Sequence, residues 1–153
     1  MASESPTVLS VSSVVSVPAE QLFAVLVDPA RHSEIDGSGM IRGAVTTEQI
    51  GQVGDIFTMD MEQPAFGSYK SDNHVVEFEP GQKIAWAPGG SGQPPLGHVW
   101  AWEFVPEGGS TLVKHTYDWS GVTDERLLAA LKFPRVSADQ MATTIDRLAK
   151  AAT

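Results

Sequence analysis

The residues with chemical reach concentrate between His98 and Trp119. Read with a period of two, Leu96-Gly-His-Val-Trp-Ala-Trp-Glu-Phe-Val sets His98, Trp100, Trp102 and Phe104 on one face of a strand. The run from Thr111 sets Val113, His115, Tyr117 and Trp119 on one face of the next. An imidazole titrating near 6.5 can give or take a proton at neutral pH. His98 or His115 is therefore a candidate base, with Tyr69 or Tyr117 as the proton donor. Tryptophan and tyrosine also join a large apolar area to one hydrogen-bond donor, which suits them to hold a ring-containing molecule.

The element that must position these side chains is a hairpin. A tight turn at Glu107-Gly108-Gly109-Ser110 makes the two runs antiparallel. It sets Phe104 opposite Val113, Trp102 opposite His115, Trp100 opposite Tyr117 and His98 opposite Trp119. A slip by one residue would put the two heavy faces on opposite sides of the sheet. The product is an aromatic wall with polar tips. Such a wall either packs as core or lines a ligand cavity, and residue types alone leave both readings open.

Other segments add to the same face. Ile56 to Met61 places Phe57, Met59 and Met61 together, and Lys83 to Ala87 places Ile84 and Trp86 together. Tyr69 to Glu79 places His74, Val76 and Phe78 on its inward face. Methionines, Met141 among them, give an adaptable surface for irregular ligands. Three histidines, 74, 98 and 115, then face inward, but no two share a short metal-ligand spacing, so no metal site is expected. His32, Asp36 and Asp60 are further acid–base candidates. Asp36 suits a cap-and-turn role better, and Asp60 falls on an outward face. No nucleophilic triad and no phosphate-binding glycine pattern is present.

Composition narrows the partners. The 153 residues carry a net charge of -9 and contain no cysteine, with a pI near 4.7. Phosphate backbones and anionic membranes would be repelled, and disulfides and thiolate metal sites are excluded. Residues 1–6 read as a flexible leader and 7–153 as one domain, of a length able to bury about two thirds of its unfolded surface. With no apolar run of spanning length, the expectation is a cytoplasmic protein without membrane insertion, monomeric or homodimeric, and without a cofactor.

Along the chain, Val8 to Val17 reads as a strand. Pro18 then opens a helix with Leu22, Phe23 and Leu26 on one face, and Asp28-Pro29 caps a second short one through about Ser33. Gln63-Pro-Ala-Phe-Gly is a loop, and everything from Met40 to Trp119 is strand or turn, an antiparallel meander. Ala87 to Leu96 is either a plain connection or a lid at a cavity mouth, the lid being favoured. Asp124 and Glu125 open a helix with Leu127, Leu128 and Leu131, and Pro134 breaks it next to Phe133. Ser137 and Gln140 form a capping box, after which Met141, Ile145 and Leu148 recur at helical spacing. That stripe is narrow enough to leave space against the sheet.

The order of strand, two helices, six strands and a long C-terminal helix resembles the START-like (SRPBCC) superfamily, in particular its bacterial polyketide cyclase/dehydrase-type branch. The phrases that carry the resemblance are Pro18-Ala-Glu-Gln-Leu-Phe-Ala-Val-Leu-Val-Asp28, Val53-Gly-Asp-Ile-Phe57, Val76-Glu-Phe-Glu-Pro80 with Ile84-Ala-Trp86, and Trp102-Glu-Phe-Val-Pro-Glu-Gly-Gly-Ser-Thr111. One departure is Ile35-Asp36, where relatives often carry a tryptophan. The resemblance implies an α+β helix-grip fold, a curved seven-stranded antiparallel sheet around the long helix with a hydrophobic cavity between them. It implies binding of an apolar small molecule as carrier or sensor, lipid transport included, with cyclase-like acid–base chemistry as the alternative. The expected ligand contacts are Phe57, Met59, Met61, Tyr69, His74, Trp86, His98, Trp100, Trp102, His115, Tyr117, Trp119, Phe133 and Met141.

Overall fold

The computed structural model describes residues 2–4, 7–64 and 67–153. One antiparallel sheet runs in the order β1-β2-β8-β7-β6-β5-β4-β3. The strands are β1 (Ala2–Glu4), β2 (Val8–Val15), β3 (Ile41–Ala44), β4 (Ile56–Gln63), β5 (Gly67–Glu79), β6 (Lys83–Gly90), β7 (Val99–Glu107) and β8 (Ser110–Asp118). β3 to β8 form the expected meander, and β2 returns beside β8. Strands β2 to β8 are the seven-stranded antiparallel sheet that the sequence predicts, the long C-terminal helix is present, and β1 adds an eighth strand at the edge.

β1 corrects the reading of residues 1–6 as a flexible leader. Ala2–Glu4 pair with Leu9–Val11 of β2, because the outer edge of β2 offers backbone groups that an adjacent segment can satisfy. Residues 1, 5 and 6 of that leader, and Ala65 and Phe66 of the expected 63–67 loop, lie outside the described residues. No helix among the described residues is long and apolar enough to cross a membrane.

Local chemistry accounts for the helices. α1 (Ala19–Leu26) starts after Pro18, carries Glu20 in its first turn, and buries Leu22, Phe23, Val25 and Leu26. Asp28 accepts from the amide of Ala30 to cap a 3-10 turn, Pro29–Arg31, which leads directly into α2 (His32–Ile35). α3 (Glu125–Leu131) is capped by Asp124 and has no buried residue. α4 (Ala138–Ala151) begins with the Ser137/Gln140 capping box and buries Met141, Ile145 and Leu148.

These helices leave a gap of defined shape. Phe23 of α1 packs edge-on to Phe78 and Phe104, with centroids 5.5 and 6.3 Å away, and so fills one end of the sheet. α4 packs chiefly on β2, with contacts to α1, α2 and β8. Its first half is held near the α2–β3 turn, where Thr144 Oγ1 accepts from the amide of Gly37 at 2.9 Å. A Cβ on Gly37 would lie 2.3 Å from the Gln140 carbonyl oxygen, so only glycine permits that approach. The space between α4 and strands β4 to β7 stays open.

Candidate functional site

That space is a cavity of about 510 Å³. Its floor is the hairpin wall. The β7–β8 register sets Trp100 opposite Tyr117, Trp102 opposite His115 and Phe104 opposite Val113, as the alternation predicts. Trp100 and Tyr117 are stacked at 3.9 Å and 9°. Trp102 and His115 are stacked at 3.7 Å and 18°. The β6–β7 register adds Trp86 beside Trp100. Phe57, Met59 and Met61 of β4 and Tyr69 of β5 continue the lining on the far side, and Met141 and Phe133 close it from above.

The polar groups fall into two sets. On the sheet floor, the Nδ1–H of His115 donates to the Ala101 carbonyl at 3.1 Å. This bond places the proton on Nδ1 and makes Nε2 the acceptor. Asn73 donates both amide hydrogens to backbone, to Phe57 O at 3.1 Å and Ser71 O at 3.3 Å, which leaves its carbonyl oxygen for the cavity that it lines. At the junction of α3 and α4, Arg135 Nε donates to Gln63 Oε1 at 3.1 Å, and its Nη1 donates to the Leu131 carbonyl. Gln63 in turn donates to the Tyr69 hydroxyl, and the backbone amide of Arg135 donates to the Tyr117 hydroxyl at 3.4 Å.

Burial sets the protonation of these groups. Desolvation pushes the His98 and His115 imidazoles down to about 4 and the Tyr117 phenol up to about 12. Tyr69 is raised for the same reason. His32 is also pushed down by burial. It donates from Nε2 to the Leu26 carbonyl at 2.7 Å and stacks on Trp86 at 5.3 Å and 30°. At neutral pH the cavity therefore holds neutral imidazoles and neutral phenols.

Twelve of the fourteen expected contact residues line this space, and two do not. His74 is one correction. Its strand carries a β-bulge between Val75 and Glu77, which adds a residue and reverses the inward parity. Ser71, Asn73 and Val75 are buried before it, Phe78 joins the core after it, and His74 lies on the outer face. His74 thus cannot converge with His98 and His115. Trp119 is the other. It stacks behind Phe133, with planes 14° apart and centroids at 6.3 Å, and is core.

Sequence reasoning missed Gln63, Ser71, Asn73 and Arg135 as lining residues. For Asn73 a signal existed: consecutive Val75 and Val76 followed by Phe78 cannot all keep one alternation. Asp36 acts as the turn residue that its spacing suggested, accepting from the amides of Ser38 and Ile41 at 2.9 Å each. Asp60 pairs with Lys70 at 2.7 Å on the outer face. β6 runs on to Gly90, past the expected end at Ala87. The following loop folds back on it, Leu96 donating to the Pro88 carbonyl at 3.0 Å, so that Pro88, Gly89, Gly90 and Leu96 form part of the cavity wall.

Comparison with known proteins places this architecture. Residues 16–152 match the family described as "Activator of Hsp90 ATPase homolog 1-like protein". The uncharacterized protein Rv0088 of Mycobacterium tuberculosis is 36% identical over 116 residues, which is 74% of this chain and 48% of that protein. The chain thus spans about half the length of the curated relatives it matches. Among solved structures, protein Ms6760 from Mycobacterium smegmatis aligns with a TM-score of 0.71 at 13% identity, covering 99% of this chain and 95% of that one. The Zhui aromatase/cyclase from a Streptomyces species aligns at 0.67 and 13% identity, covering 95% and 92%. Ginseng major latex-like protein 151 aligns at 0.67 and 12% identity, covering 95% and 97%. At such identities the structural likeness establishes the fold. The chain belongs to the Activator of Hsp90 ATPase homolog 1-like family, within the START-like superfamily that its sequence phrases resemble.

Proposed function

We propose that this protein binds an apolar, ring-containing small molecule between the sheet and α4, as a carrier or sensor. The observation that carries the reading is the continuous aromatic floor of Trp86, Trp100, Trp102 and Tyr117 under a cavity of about 510 Å³. That volume lies within the range of small-molecule sites, roughly 300–1,000 Å³. Trp100 is stacked on Tyr117 and Trp102 on His115, and a ligand ring can extend such contacts, since aromatic pairing adds to simple burial. The solved aromatase/cyclase and latex-like neighbours share the fold and so fit the reading.

Acid–base catalysis is the weaker alternative. Imidazoles held near 4 are poor bases at neutral pH, and a phenol near 12 is a poor acid. Titration of the purified protein with naphthalene, followed by quenching of tryptophan fluorescence, tests the binding reading. Saturable quenching supports it. Absence of quenching, together with no small molecule in an organic extract of the protein, overturns it.

A further inference from the structure

Two groups on the cavity floor, at His115 and Asn73, can only accept hydrogen bonds from a ligand. His115 Nδ1 is committed to the Ala101 carbonyl. Its Nε2 makes no hydrogen bond among the described residues, and the residue lines the cavity. Asn73 is locked in the same sense. With both N–H groups spent on Phe57 O and Ser71 O, only its carbonyl oxygen can address the cavity. His115 is 5% and Asn73 6% exposed, so neither acceptor sits in bulk solvent.

We infer that the ligand is a hydroxylated ring compound, which places an O–H group on His115 Nε2 or the Asn73 carbonyl oxygen. This deepens the proposed binding function and rests on it. A buried acceptor strongly disfavours a partner that brings only another acceptor, because both then stay desolvated and unpaired. A ring bearing a hydroxyl satisfies the floor, an ether at the same position does not, and a bare hydrocarbon leaves the acceptor empty-handed. The neutral state of His115 at neutral pH keeps Nε2 an acceptor.

The test uses three probes of similar shape on the intact protein at pH 7.5: 2-naphthol, 2-methoxynaphthalene and naphthalene, with affinities from tryptophan quenching. The expected result is 2-naphthol binding roughly five- to tenfold tighter than 2-methoxynaphthalene. In His115→Phe, which keeps a ring on Trp102 but removes the acceptor, or in Asn73→Leu, that preference shrinks to about twofold or less. Equal or tighter binding of 2-methoxynaphthalene by the unaltered protein overturns the inference, and that comparison needs no variant to fold. A preference that persists in both variants overturns it as well. If naphthalene binds and the hydroxyl preference is missing, only this inference falls. If none of the three binds, the binding function falls with it.

Discussion

Trp102 and His115 lie ring on ring across β7 and β8, with centroids 3.7 Å apart and planes 18° from parallel. Trp100 covers the imidazole from the next inward position of β7, at 5.5 Å and 23°. The histidine is thereby shut away from water while its Nδ1 keeps one backbone bond. Packing and protonation at this position are one fact, since a desolvated imidazole resists charge.

Stability should therefore fall with acid well before the carboxylates titrate. The folded imidazoles of His98 and His115 take a proton only near 4, and His32 is lowered too. In the unfolded chain they take it near 6.5. The unfolded state binds more protons in between, so the contribution is whole above about pH 6.5 and is lost on descent toward pH 4. For fully buried His115 the loss is on the order of 3 kcal/mol. Urea midpoints measured from pH 7.5 down to 4.5 should drop steadily, and His115→Phe should flatten the drop. A level profile would contradict the burial argument.

Gly97 and Gly121 cross at close range beside the wall. A Cβ on Gly97 would stand 2.3 Å from the Gly121 carbonyl oxygen, and its φ is +123. Gly97→Ala should destabilise the protein by about 2–3 kcal/mol. It should also displace His98, the next residue, and so weaken ligand binding. Thermal denaturation reads the first effect and the naphthalene titration the second.

Leu127 and Leu131 face the cavity from α3, a helix with no buried residue. Leu127 is only partly buried against the core, so Leu127→Ser should cost the unliganded protein no more than about 1 kcal/mol. It removes apolar cover from the ligand, and affinity should fall several-fold, on the scale of about 1–2 kcal/mol for a lost side-chain contact. Denaturation and quenching on the same variant separate these effects. Equal affinity would place α3 outside the binding surface.

The cap of α4 is a simpler matter. Ser137 Oγ accepts from the amide of Gln140 at 3.2 Å, and Gln140 Oε1 accepts from the amide of Ser137 at 2.9 Å. Ser137→Ala should cost about 1 kcal/mol. Since Met141 lines the cavity from the first turns of this helix, fraying there should also loosen the ligand, measurable as faster dissociation.

The features that short-range chemistry controls were legible in the residues themselves. Alternation and the Glu107–Ser110 turn specify the hairpin register, because a slip would expose a whole face of tryptophans. Asp28-Pro29, Asp124 and Ser137 mark helix starts because each satisfies backbone amides a few residues away. Only the tertiary structure decided the rest. The bulge at Val75/Glu77 exchanged His74 for Asn73 at the cavity, since one extra residue inverts every side chain before it. Gln63 and Arg135 meet across the fold, and nothing in the local pattern of either segment announces the other. The cavity itself depends on how far α4 stands from β4 to β7. Phe23 packing at one end of the sheet and the close approach of Gly37 to α4 are long-range contacts of this kind, which no local run of residues encodes.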